Sequence, residues 1–184
     1  MVLKPDDYDF GDASNYSFAN DITCRNDETR KMYILAHGHM LNYNHEEAIA
    51  CFMKCTELDP DCAMAWWGIA YCVSSNYNWT PGLGSGYDAI TEAMKKKDKC
   101  TELEQDLINA LAERHSKEAR DNADPSKLEM GNSPELNIAF ANAMAPLYDK
   151  YKGNLDVTAI YVEALMNLKA WQLWDRNAKT GEIT

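Results

Sequence analysis

Long apolar runs are missing from this 184-residue chain. No stretch approaches the roughly 20 apolar residues that a membrane span needs. The start, Met1-Val2-Leu3-Lys4-Pro5-Asp6-Asp7, has no apolar run and predicts no signal peptide. Positive charge is scarce: 18 Lys and Arg face 29 Asp and Glu, for a net charge of −11. Such a surface repels phosphate backbones and anionic lipid, so nucleic acid and membranes are poor partners, while a basic partner is favoured. Sustained two-residue alternation is absent, and no strands are expected. The loop-rich framework of a secreted disulfide domain is also absent. The six cysteines (Cys24, Cys51, Cys55, Cys62, Cys72, Cys100) sit mostly inside helical patterns, as reduced thiols of a cytoplasmic protein would.

What is present is helical periodicity. Residues 1–25 read as an irregular acidic lead-in, anchored locally by Tyr16, Phe18 and Ile22. Asn26 is placed to cap a first helix, with Asp27 and Glu28 in its first turn, where the helix dipole favours anions. Met32, Leu35, Ala36 and His39 follow at helical spacing. Asn44 with Glu47 suggests a capping box for the next helix, whose buried stripe is Ala48, Phe52 and Cys55, and Pro60 ends it. A third helix over about 61–73 carries Trp66, Ile69, Ala70 and Val73. Turn formers fill 74–86, and a fourth helix follows at about 86–97. Thr101 and Glu104 form a second capping-box pattern ahead of Leu103, Leu107, Ile108 and Leu111, in a helix to about His115. A polar connection over 117–132 leads to Ser133 as a cap, Pro134 at a first helical position, and a helix ending before Gly153. Asp156 is expected to cap the last clear helix, with Ile160, Tyr161, Ala164, Leu165 and Leu168 facing inward. The expected fold is all-α, with about seven helices over 26–176 and a polar tail at 177–184.

The first two helices match a 34-residue repeat template: Met32, Leu35, Ala36 and His39, then Ala48, Phe52 and Pro60. One period takes Met32 to Trp66, Leu35 to Ile69 and Ala36 to Ala70. Small residues let paired helices approach, and large ones such as Phe52 and Trp66 fill the groove between them. The segment resembles a tetratricopeptide repeat. That resemblance implies antiparallel helical hairpins stacked as a right-handed superhelix with a concave binding face. The best repeat is 29–62. The second, from 63, is interrupted by the 74–86 loop, since Ala89 follows Ala48 by 41 residues rather than 34. A degenerate pair spans 134–168. The runs NHEEAIACF, LDPDCAMAWWGIAY, NYNW and YVEALMNLKAWQLWD are also similar to the N-terminal part of a group of longer tetratricopeptide-like proteins, which implies that further helical pairs follow in such proteins.

No residue cluster identifies a reaction. Cys51, Cys55 and Cys62 with His37 and His39 hint at zinc, but the cysteines lie along the stripe where small apolar residues are wanted, and no metal is expected. His45-Glu46-Glu47-Ala48-Ile49 lacks the second His of a zinc-protease motif, and Gly82-Leu83-Gly84-Ser85-Gly86 lacks the context of a phosphate loop. His45 takes the place of a usual aromatic, and reads either as a packed ring bonded to a carbonyl or as a ligand-contacting group. Asn76, Tyr77, Asn78 and Trp79 end the third helix near where His45 should project, with Glu163, Trp171 and Trp174 able to close the same face. The candidate ligand-binding residues are therefore His45, Asn76, Asn78, Glu163, Trp171 and Trp174. Tyr33, His37 and Gly68, at the inner positions, lack the cations of a clamp for acidic C-terminal tails, so no binding of such tails is expected. The expected function is a scaffold holding a peptide or partner protein on its concave face. The alternative is the N-terminal fragment of a small-ligand- or metal-binding enzyme. No cofactor is implied. The apolar Trp171, Leu173 and Trp174 at the end of the array predict self-association.

Overall fold

The computed structural model describes residues 21–74, 76–78, 86–121, 134–177 and 179–183. It is all-α. Among the described residues there are seven helices of ten residues or more: α1 (Asp27–Leu41), α2 (His45–Leu58), α3 (Ala63–Val73), α4 (Tyr87–Lys96), α5 (Glu102–Ala112), α7 (Pro134–Lys150) and α8 (Leu155–Met166). A short α6 (Lys117–Asp121) falls inside the connection read from sequence as polar. The only extended pairing among these residues is an isolated bridge between Arg176 and Ile183.

Local chemistry sets several ends as expected. The Asn26 side chain accepts the Thr29 N–H at 2.8 Å and starts α1. At α5, Thr101 accepts the Glu104 N–H, and Glu104 accepts the Thr101 N–H at 2.8 Å, a complete capping box. Glu104 does more. Its fully buried carboxylate also accepts the Thr23 N–H at 2.7 Å and the Thr23 hydroxyl at 2.6 Å, tying the lead-in to α5. Gly153, at φ +90, makes the turn between α7 and α8.

Two expected caps are corrected. Asn44 makes no side-chain cap bond, and its own N–H donates to the His39 carbonyl at 2.9 Å, which leaves Glu47 nothing to reach back to. At α8 the cap is Asn154, which accepts the Val157 N–H at 3.0 Å, and Asp156 sits in the first turn instead. Ser133, Tyr16, Phe18 and Trp79 lie outside the described residues.

Each hairpin packs on the next, and α3 also touches both α1 and α5, so alternate helices meet in one layer. Burial on α3 differs from the expected stripe. Trp66, Ile69 and Val73 are only partly buried, whereas Met64, Trp67, Gly68, Tyr71 and Cys72 are buried. Neighbours on several sides, α2, α4 and α5, cover most of its circumference. Gly68 is the closest approach: a Cβ there would lie 2.4 Å from the Phe52 ring. Trp67, not Trp66, is the fully buried indole, and it donates to the Leu107 carbonyl at 3.1 Å. On α8, Ile160 and Ala164 are buried as expected, but Leu165 is exposed, as is Leu168 in the turn just after the helix, because α7 is the main helix packed against α8.

Candidate functional site

The turn between α1 and α2 begins the site. Tyr43 adopts φ +60, a left-handed conformation that usually falls to glycine and costs a bulky residue about 1–2 kcal/mol. The conformation lets the Tyr43 N–H donate to the Met40 carbonyl at 3.1 Å and brings its ring parallel to His45, with centroids 5.7 Å apart. His45 heads α2 and is buried.

The Nδ1 of His45 lies 3.2 Å from the Cys72 carbonyl and 3.2 Å from the Asn76 Nδ2. The Asn76 Oδ1 is engaged by the Asn78 N–H at 2.9 Å, which fixes the amide with its NH2 toward the ring. Nδ1 therefore faces one acceptor and one donor. With a proton on Nδ1 it donates to the carbonyl and Nε2 accepts; without one it accepts from Asn76 and Nε2 donates. Nε2 itself is buried and has no hydrogen-bond partner among the described residues. Burial lowers the His45 pKa, as does the charge of Arg114, against opposing effects of Glu163 and the Cys72 carbonyl. The ring is accordingly held neutral near pH 7.

Glu163 of α8 reaches the same neighbourhood. One carboxylate oxygen accepts the hydroxyl of Tyr71, a buried α3 ring stacked on Trp67 at 5.2 Å. Arg114 acts on this pair through its charge. It is buried, donates from Nε to Asn137 at 3.1 Å, and lies over the Phe140 ring at 5.5 Å. Burial lowers the Arg114 pKa, while Tyr71 and Glu163 act to raise it. Burial also pushes the Tyr43 phenol up to about 12, with Glu163 and Tyr77 adding to the effect. Trp171, at φ +61, stacks on Tyr77 with centroids 5.4 Å apart and is 68% exposed. Tyr43 and Trp171 are the two non-glycine residues with positive φ among the described residues, and both deliver a ring to this cluster. Strain of this kind persists where surrounding structure holds it, and it gathers at binding sites.

Four of the six candidates, His45, Asn76, Glu163 and Trp171, thus come into one neighbourhood. Asn78 contributes its backbone N–H, but its side chain is exposed. Trp174 is 66% exposed and takes no part in the cluster. Sequence reasoning missed Tyr43, Tyr71 and Arg114. Tyr71 lies four residues after Trp67, a spacing that marks one helix face, but nothing in the sequence joins it to Glu163. The inner positions Tyr33 and His37 are fully buried, with Asp156 of α8 at 3.4 Å from the His37 Nε2.

The cysteines of α2, and Cys62 just before α3, are packing residues. Cys51, Cys55 and Cys62 are buried, and burial pushes Cys51 up to about 11 and Cys62 up to about 12, disfavouring the thiolate a metal needs. Among the described residues, no group of three or more His, Cys, Asp or Glu is arranged to hold a metal. No helix among them is long and apolar enough to cross a membrane. Comparison of the chain with protein-family models, with curated proteins and with solved structures finds no match in any of the three.

Proposed function

We propose that the chain is a tetratricopeptide-type repeat protein that binds a protein or peptide partner, and that the partner is held at the cluster of Tyr43, His45, Asn76, Tyr77, Glu163 and Trp171. The stacked helical hairpins, with α3 touching α1 and α5, support the repeat reading. The observation that carries the site is the left-handed Tyr43 stacked on buried His45, whose Nε2 has no hydrogen-bond partner among the described residues, together with the left-handed Trp171 stacked on Tyr77, the residue after Asn76. Aromatic rings with a few polar groups suit a peptide segment. The site lies beside α8 rather than on the inner positions Tyr33 and His37, which are buried.

The test is capture from cell extract on the immobilised full chain, with quantitative mass spectrometry, comparing wild type with Tyr77→Ala/Trp171→Ala. Proteins retained by wild type and lost by the variant are expected. Identical captured sets would sink the reading.

A second reading, a small polar ligand at His45, is favoured by the carbonyl and amide that flank Nδ1 while Nε2 has no partner among the described residues. A thermal-shift screen addresses it. If no compound shifts the wild type, or if His45→Ala keeps every shift, this reading fails.

A further inference from the structure

Helix α8 carries its charges on the inside. Its sequence, LDVTAIYVEALM, holds two acidic residues, and both face the protein: Asp156 is buried 3.4 Å from the His37 Nε2, and Glu163 accepts the Tyr71 hydroxyl. The opposite face is apolar. Leu155, Ala159, Val162 and Leu165 follow one another at spacings of four, three and three residues, which places them in one stripe. All four are exposed, Leu155 by 73%. A helix that is apolar outside as well as inside is ordinarily covered, because water on its outer face costs free energy. From this stripe we infer that two copies of the chain associate, α8 against α8, antiparallel about a two-fold axis.

Charge and shape both favour a second copy as the occupant. The net charge of −11 is unevenly spread: residues 1–146 hold 13 Lys and Arg against 24 Asp and Glu, whereas residues 147–184 hold five of each. Two copies meeting through α8 therefore join their neutral parts and keep their acidic parts out of the contact. The lysines bordering the helix, Lys152 before it and Lys169 after it, pair with Asp149 at 3.5 Å and Asp175 at 3.0 Å. The stripe thus offers neither a basic nor an acidic partner a complementary charge. It does match itself. With the axis between Ile160 and Tyr161, Ala159 of one copy faces Val162 of the other, and Leu155 faces the Leu165–Met166 end, each contact occurring twice. The small Ala159 beside the axis lets the two helices approach to about 8–10 Å. A stripe about 15 Å long makes a small interface, so micromolar association is expected.

The experiment is sedimentation equilibrium of the full chain over about 1–300 µM, a range that brackets micromolar dissociation. Wild type is expected to pass from one chain mass to two and to stop there. Leu155→Lys and Leu165→Glu each place an unpaired charge in the contact, and each should weaken the dimer about tenfold or more. Both positions face solvent in the single chain, so wild-type melting is expected of each variant, which circular dichroism checks. Mixing the two variants reads the orientation. An antiparallel pair brings the new lysine of one chain against the new glutamate of the other and leaves the second contact apolar. The mixture should therefore associate about fivefold or more tightly than either variant alone. A wild type that stays monomeric throughout leaves the stripe to some other occupant and overturns the inference. So does a dimer that survives both variants, or growth beyond two copies. A mixture no tighter than its components overturns the antiparallel pairing.

Discussion

Gly68→Ala should destabilise this protein although helix propensity argues the opposite. In a helix interior, replacing Gly by Ala gains about 1 kcal/mol, because glycine loses more backbone freedom on folding. At Gly68 the added Cβ would sit 2.4 Å from Cζ and 2.5 Å from both Cε atoms of Phe52. Carbon atoms in contact prefer about 3.5–4 Å, so the ring must retreat by more than about 1 Å. It has nowhere to go: Phe52 is fully buried, with the Tyr33 ring edge-on at 5.4 Å. Overpacking of this kind costs about 1–3 kcal/mol, and the upper end applies where a rigid ring is struck end-on. The net expectation is a loss of about 1–2 kcal/mol, or a melting temperature lower by about 2–8 °C for a chain of this size. Urea denaturation followed by circular dichroism measures it. The partner substitution sharpens the test. Phe52→Leu alone should be destabilising through the space it leaves, yet combined with Gly68→Ala the two losses should partly cancel, giving a favourable coupling of about 1 kcal/mol or more. A Gly68→Ala protein more stable than wild type, or strictly additive losses in the double variant, would refute the close approach of α2 and α3.

Glu104→Ala should cost about 3 kcal/mol or more, since it strands the N–H and hydroxyl donors of both Thr23 and Thr101, and limited proteolysis should then cut faster near residue 23. His115 gives a pH dependence. Burial first, and the charge of Arg114 second, lower its pKa to about 4 from 6.5. The unfolded chain therefore binds this proton first as pH falls. The stability contributed by the neutral ring is fully present above 6.5 and declines toward 4, by about 2 kcal/mol between pH 7 and pH 5. His115→Asn should flatten that slope in urea titrations at the two pH values; an unchanged slope would rule out His115 as its source. Leu155, Val162 and Leu165 on α8 and Leu168 just after it are all exposed, so the full chain should self-associate at high concentration, and Leu165→Glu should return it to monomer in light scattering. A wild-type monomer throughout would defeat that expectation.

Features that depend on a few neighbouring residues were legible in the sequence. The Asn26 cap and the Thr101–Glu104 box are such features, because donor and acceptor lie three residues apart. The Ala48–Phe52–Cys55 stripe was legible for the same reason. The Glu47 half of the Asn44 box failed because the Asn44 backbone N–H is taken by the His39 carbonyl, next to the left-handed Tyr43 that no local pattern announces. The choice between Asn154 and Asp156 turned on the chain's path out of Gly153, and either residue type can cap. The 34-residue period selected Trp66, but periodicity assumes one buried face, and α3 is enclosed on several. At the site, His45 and Asn76 were placed together because Asn76 follows the end of the third helix, near where His45 should project from the start of the second. The Tyr71–Glu163 bond, across 92 residues, and the buried Arg114 behind it have no sequence signature.

Solenoids ordinarily melt as chains of nearest neighbours, each unit stabilised only by those beside it. In this chain the α8 tethers reach beyond neighbouring helices. Asp156 meets His37 on α1, and Glu163 holds Tyr71 on α3, so the last long helix clasps the first and third. Unravelling cannot then proceed from the C-terminal end without loosening the beginning of the array. Hydrogen exchange at α1 and α8 should share one opening event, and folding should be slower than local helical hairpins alone would allow, because its closing contacts join opposite ends of the chain.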